Sequence, residues 1–251
     1  MRTVDDTRLW LRRFHPAGPG APQVVCFPCA GGSAGAFFDL SAALSPEIEV
    51  LAVQYPGRQD RSRERPSTDL AELADEITDQ LLARLGPAER PALFGHSMGS
   101  LVAFETALRL ERAGRRPTVL FASSHRAPVD SGTGLDGLDD ASITEELARL
   151  SGTDPEVLAD EGLMELILPV LRADYTALAR YRHVPGLLLA CPVVAALGDA
   201  DPEVSPEEAA RWAEHTGAAS SVRVFDGDHF YLKPRLHELA DLVRTTVREA
   251  T

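Results

Sequence analysis

Arg90-Pro-Ala-Leu-Phe-Gly-His-Ser-Met-Gly99, running into Ser100-Leu-Val-Ala-Phe-Glu-Thr-Ala-Leu-Arg-Leu110, is the stretch that decides the fold. Its first part is short and apolar and reads as a buried strand, and its last part reads as a helix. Between them Gly95-His96-Ser97-Met98-Gly99 fits G-x-S-x-G. A serine pinned between a strand and a helix sits on a tight turn that pushes its hydroxyl clear of the sheet. The flanking glycines let two backbones pass closely around it. The pattern and its context together make Ser97 the candidate nucleophile of an elbow.

Outward from the elbow, strand-like and helical runs alternate, as expected of a parallel sheet with crossover helices. Strands are expected at residues 9–14 (an edge strand), 23–27, 49–55 and 117–123, and helices at 37–44 and 69–85. The second helix carries Leu70, Leu73, Ile77 and Leu81 at helical spacing. The rhythm then breaks. Residues 126–190 offer a Gly/Asp-rich loop at 129–140 and helical patterns at 143–150, 155–159 and 163–181. Ser142 and Glu145 form a capping-box pattern at the first of these. Strands at 192–197 and 221–225 flank a helix at 206–215, and a last helix covers 236–249. The expected architecture is the α/β-hydrolase fold: a mostly parallel central sheet with helices on both faces. The core would comprise residues 1–125 and 191–251, with 126–190 as a helical lid insertion.

With 251 residues, 44% of them apolar and 25% charged, the chain has the composition of an ordinary globular protein. Its net charge of -13 disfavours nucleic acid, which needs clustered positive charge. No apolar run reaches membrane-helix length, and the polar N-terminus has no signal-peptide core. A cytoplasmic monomer is the expectation. Cys26, Cys29 and Cys191 cannot all pair. Cys26 and Cys29 lack the second pair or histidine partners that a metal or redox site needs, so no metal is expected.

A serine hydroxyl needs a base, and the base an orienting acid. In α/β-hydrolases they follow in the order serine, acid, histidine. Of the seven histidines, His229 alone lies in a loop after the last strand. His96, inside the elbow, is expected to face away from the nucleophile. Gly198-Asp-Ala-Asp201 follows the preceding strand. Asp201 is the preferred acid, and Asp199 is assigned to loop amides. Asp226 and Asp228 are alternatives, with turn chemistry as their expected role. Two backbone amides must hold the oxyanion. Met98, after the nucleophile, supplies one. The other comes from Phe27-Pro-Cys-Ala-Gly-Gly-Ser33, where Pro28 has no N–H; Ala30 is preferred, with Cys29 second.

Phe27-Pro-Cys-Ala-Gly-Gly, Tyr55-Pro-Gly-Arg58, Gly95-His-Ser-Met-Gly99, Gly198-Asp-Ala-Asp201 and Gly227-Asp-His-Phe230 together resemble the motifs of type II thioesterases. These are stand-alone enzymes of polyketide and non-ribosomal peptide assembly lines. The resemblance runs from about Trp10 to the last helix and places Ser97, Asp201 and His229 at the triad positions. It implies hydrolysis of acyl thioesters on the phosphopantetheine arm of an acyl or peptidyl carrier protein, removing stalled or incorrect groups, with no cofactor of the enzyme's own. Cys29, His125 and Phe230 would line the substrate chamber. Ser124-His125-Arg126 stands where the family more often has a Gly-Arg-Arg-type stretch. The densest basic segment, with Arg58, Arg61, Arg63 and Arg65, is the candidate surface for an acidic carrier. An esterase, acyltransferase or cyclase would use the same three residues. A non-catalytic binding protein would have no need of all three.

Overall fold

The computed structural model describes residues 8–130, 139–150, 156 and 159–250. Among the described residues seven strands form one sheet: β1 (Leu11–Arg12), β2 (Gln23–Phe27), β3 (Glu49–Val53), β4 (Ala92–His96), β5 (Leu120–Ser123), β6 (Val193–Gly198) and β7 (Ser220–Phe225). Their order is β1-β3-β2-β4-β5-β6-β7. Only β1 runs antiparallel to its neighbour. This is the α/β-hydrolase fold. The expected edge strand at 9–14 shrinks to Leu11 and Arg12, which pair with Val53 and Ala52, because residues 8–10 are helical; the Trp10 carbonyl still accepts from the Gln54 amide at 2.8 Å.

The helices with both ends among the described residues are α1 (Phe38–Leu44), α2 (Leu70–Arg84), α3 (Met98–Arg112), α4 (Asp140–Arg149), α5 (Glu161–Arg180), α6 (Pro206–Ala210) and α7 (Leu236–Ala250). Strand alternation divides the core. Val25, Phe27 and Leu93 face one apolar cluster with α2, α3 and much of α5. Val24, Cys26 and Phe94 face the other, with α1 and α7. A strand buried on both faces reads as a continuous apolar run, which is why β2 and β4 show so little alternation.

Two local expectations change. Asp139, not Ser142, caps α4: its carboxylate accepts from the Ser142 amide at 2.9 Å and the Ser142 hydroxyl at 2.7 Å. A carboxylate is the stronger acceptor at a helix N-terminus, and the serine becomes its donor. The helix expected at 206–215 is α6 followed by a tighter 3₁₀ turn, Arg211–His215. Most of the expected helix at 155–159, and residues 131–138 of the expected loop, lie outside the described residues. Within the expected lid, α5 packs onto the sheet. Its second half supplies Leu171, Tyr175, Ala177 and Leu178 to the same core cluster as the central strands.

β2 and β4 are neighbours, and the chain leaves them on opposite sides of the sheet. The crevice at the carboxyl ends of such strands is where open α/β sheets bind ligands. The Pro28–Gly32 turn and Ser97 both lie there, one residue or a few beyond Phe27 and His96.

Candidate active site

Ser97 links β4 to α3 with φ 53° and ψ -125°, a conformation that strains any residue with a Cβ. The surroundings hold it there. Its amide donates to the Ser123 carbonyl at 2.7 Å. The Ser100 hydroxyl bridges the carbonyls of Gly95 at 2.9 Å and Ser123 at 3.0 Å. A Cβ on Gly95 would lie 2.2 Å from the Gly99 oxygen, and one on Gly99 2.1 Å from the Phe27 oxygen. Only glycine lets β4, α3 and the end of β2 meet this closely. The residues around Ser97 are buried, while Ser97 itself keeps partial access to a cavity.

His229 follows β7 in the expected loop. Its Nδ1 lies 3.0 and 3.1 Å from the two carboxylate oxygens of Asp201, and both side chains are essentially fully buried. Asp201 Oδ1 also accepts from the Glu203 amide at 2.9 Å. With Nδ1 committed to the carboxylate as donor, the ring leaves Nε2 as a base; that atom is buried and has no hydrogen-bond partner among the described residues. Asp199 instead accepts from the Gly227 amide at 2.9 Å. Asp228 accepts from the Phe230 amide at 2.8 Å, a local turn contact, and Asp226 pairs with Arg235.

Ser97 and His229 share a cavity of about 110 Å³ with Cys29, Ala30, His125 and Phe230. Cys29, Ala30, Leu147 and Phe230 also wall a second cavity, of about 560 Å³, which continues past Met164, Ile167 and Leu171. The second space is the more apolar. The smaller space carries Asp130, Glu146 and Glu203 on its walls. His125 Nδ1 sits 2.7 Å from the Arg126 carbonyl, and burial pushes its pKa down to about 4. At neutral pH it is an uncharged wall whose Nδ1 donates to that carbonyl.

Burial pushes the Cys29 thiol up to about 11. About one thiol in a thousand is then ionised at pH 8, and the thiolate is the reactive form. Iodoacetamide at pH 8 should leave Cys29 almost unmodified under conditions that consume free glutathione, and alkylation should rise about tenfold per pH unit. Intact mass and peptide mapping read this; fast labelling at pH 7 would contradict it.

Several participants are silent in the sequence. His96 lines the larger cavity, without Ser97, and packs beside His229. Its ring centroid lies 5.2 Å from that of His229 and 5.4 Å from that of Phe230. Its Nδ1 is 3.0 Å from the Ser123 hydroxyl, which is 2.8 Å from the Tyr231 hydroxyl. Complete burial pushes His96 well below its usual pKa, so it places a neutral ring against His229. Ser124 (φ 50°) donates from its hydroxyl to the His229 carbonyl at 3.2 Å. These contacts join β4, β5 and the β7 loop, and only the tertiary fold brings them together.

The basic segment is not the surface expected. Arg58 and Arg61 are buried. Arg58 pairs with Asp174. Arg61 lies over the Trp10 ring at 4.0 Å, donates to the Gln54 carbonyl at 2.7 Å and grips Glu64. A guanidinium with a carboxylate and a ring to cover it is stable inside, where a bare charge is not. Arg63 and Arg65 are exposed.

A strained serine on an elbow, with a buried Asp–His pair in the same cleft of a parallel sheet, defines a serine hydrolase of the α/β-hydrolase class. Comparison narrows this. Residues 22–247 match the thioesterase domain family, and the chain belongs to that family. It is 46% identical over 241 residues to thioesterase PikA5 of Streptomyces venezuelae, across 94% of this chain and 84% of that protein. The structure of the type II thioesterase BorB from the borrelidin biosynthetic cluster superposes with a TM-score of 0.87 at 43% identity, covering 95% of this chain and 98% of that one. RedJ, a thioesterase of the prodiginine pathway in Streptomyces coelicolor, gives a TM-score of 0.85 at 38% identity, covering 92% and 93%. The chain is a thioester hydrolase of the type II class. Among the described residues no helix is long and apolar enough to cross a membrane.

Proposed function

We propose that the enzyme frees acyl groups from the phosphopantetheine thiol of a carrier protein, through an acyl-enzyme on Ser97. The carrying observation is the Asp201–His229 pair: His229 Nε2 has no hydrogen-bond partner among the described residues and lies in the cavity that holds Ser97. His229 Nε2 takes the Ser97 proton as Oγ attacks the thioester carbonyl. Asp201 keeps the proton on Nδ1 and stabilises the imidazolium. The Met98 amide, at the start of α3, and the Ala30 amide receive the oxyanion. The carbon–sulfur bond breaks, and His229 protonates the departing thiolate. Water then enters and gives a proton to His229 as it attacks the acyl carbon; His229 returns that proton to the Ser97 oxygen as the ester bond breaks, releasing a carboxylic acid.

The carrier as acyl donor is supported by the relatives' place in assembly lines, and by two adjoining cavities that separate a small space at Ser97 from a longer apolar one. The expected result is a higher kcat/KM for acyl groups on carrier protein than for the same groups on N-acetylcysteamine. A panel of carriers loaded with acyl chains of graded length and branching, assayed for released acid, measures it. Equal kcat/KM on both would remove the carrier from the proposal while leaving thioester hydrolysis intact.

A further inference from the structure

Arg58 and Asp174 lie 116 residues apart in the chain and meet as a buried pair, with side chains 4% and 0% exposed. Arg58 Nη2 donates to both Asp174 oxygens, at 2.5 Å for Oδ1. Arg58 Nη1 donates to the Pro56 carbonyl at 2.7 Å. Asp174 Oδ2 also accepts from the Gly31 amide at 2.7 Å. The pair thus ends on the turn expected to supply an oxyanion donor.

That turn is held at successive peptide units. The Pro28 carbonyl accepts from the Tyr55 hydroxyl at 3.3 Å, and the Arg58 guanidinium lies 5.2 Å from the Tyr55 ring centroid. The Cys29 carbonyl accepts from the Gly32 amide at 3.0 Å. In a trans peptide the N–H points opposite to the C=O. Fixing the Cys29 oxygen on the Gly32 side therefore turns the Ala30 N–H the other way. The next peptide is fixed by Asp174 through Gly31, whose φ of +69° brings Leu171 so near that a Cβ would lie 2.6 Å from Leu171 Cδ2. Leu171 and Asp174 are both on α5, so one helix presses on the turn and binds it.

The charges explain why two residues are used. A lone carboxylate one peptide from a developing oxyanion would oppose it in a low-dielectric site. Arg58 cancels that charge while Asp174 keeps its acceptor geometry.

We propose that Asp174 and Arg58 are positioning residues of the oxyanion site: through Gly31 they hold the Cys29–Gly32 turn so that the Ala30 amide faces the cavity of Ser97. This rests on Ala30 and Ser97 acting as proposed above. It assigns the Tyr55-Pro-Gly-Arg58 motif to catalytic geometry and not to docking.

Removing one partner strands a buried charge, so Asp174→Asn alone is prone to unfold. The neutral pair Arg58→Gln/Asp174→Asn avoids this and is the decisive variant. Its kcat on an acyl-N-acetylcysteamine should fall about tenfold to a hundredfold, less than outright loss of an oxyanion donor. KM should move less than about threefold, since the interaction lost belongs to the transition state. A trifluoromethyl ketone analogue, which gives a tetrahedral oxyanion on a serine, should lose affinity by the same factor as kcat. The matching carboxamide, a ground-state mimic, should bind as before. Arg58→Lys, which keeps the charge but not the fork, should fall between wild type and the neutral pair. A folded neutral pair with unchanged kcat and ketone affinity overturns the proposal. So does an equal loss for ketone and carboxamide, which would mean a collapsed chamber. If Ser97→Ala binds the ketone as tightly as wild type, the serine reading fails, and this proposal with it.

Discussion

Ser97→Ala should lower kcat on any thioester substrate by about a million-fold, the scale seen when a serine hydrolase loses its nucleophile. The residual rate would come from binding and oxyanion stabilisation alone. Folding should be spared, because the elbow's contacts use the Ser97 backbone, not its hydroxyl: the amide to Ser123 and the carbonyl to Ser100. A fluorophosphonate should add one adduct to the wild-type mass and none to the variant. An adduct that persists in Ser97→Ala would move the nucleophile elsewhere, and a loss of only tenfold would end the acyl-enzyme proposal.

Asp201→Asn should cost about ten-thousand-fold in kcat. Both carboxylate oxygens lie within reach of His229 Nδ1, and Oδ1 also takes the Glu203 amide. An asparagine that keeps its oxygen on Glu203 turns its amide donor toward Nδ1. That selects the tautomer protonated at Nε2, which cannot take a proton from Ser97. Asp199→Asn is the internal control. Its oxygen can still accept from Gly227, so the loss should be about fivefold or less, the worth of one ordinary hydrogen bond. Steady-state kinetics on both variants, with melting curves to confirm folding, decides between them. A larger loss at Asp199 would reverse the assignment of the acid.

The sequence carries the elbow because its signal is local: a buried strand, two small residues and a helix within about twenty positions. The Asp201–His229 contact is legible for a related reason, since both residues lie in the loops that follow β6 and β7, where parallel sheets gather their chemistry. His96, Ser124 and Tyr231 are not legible. Their contacts depend on which way a side chain turns at the end of β4, β5 or β7, and periodicity does not encode that. Arg58 and Arg61 mislead for a physical reason. Arginines alternating with acids and serines have the composition of a solvated loop, whether their partners are water or a distant Asp174 and Trp10. Asp139 took the cap from Ser142 because both are residue types that cap helices, and the register in which the helix starts is not written in the local pattern.

The helix α5 does two jobs along its length. Met164 and Ile167 form walls of the longer cavity, while Leu171 and Asp174 lean on the turn beside Ser97. Pro169 falls between these halves. Before Pro169 a changed side chain reshapes the larger cavity at Met164 and Ile167, away from the Gly31 turn. Past it, the same change also disturbs the turn that Leu171 and Asp174 hold. A mutational library aimed at the larger cavity should spread its diversity over the first half of the helix and over Leu147 on α4, and leave the second half as it stands.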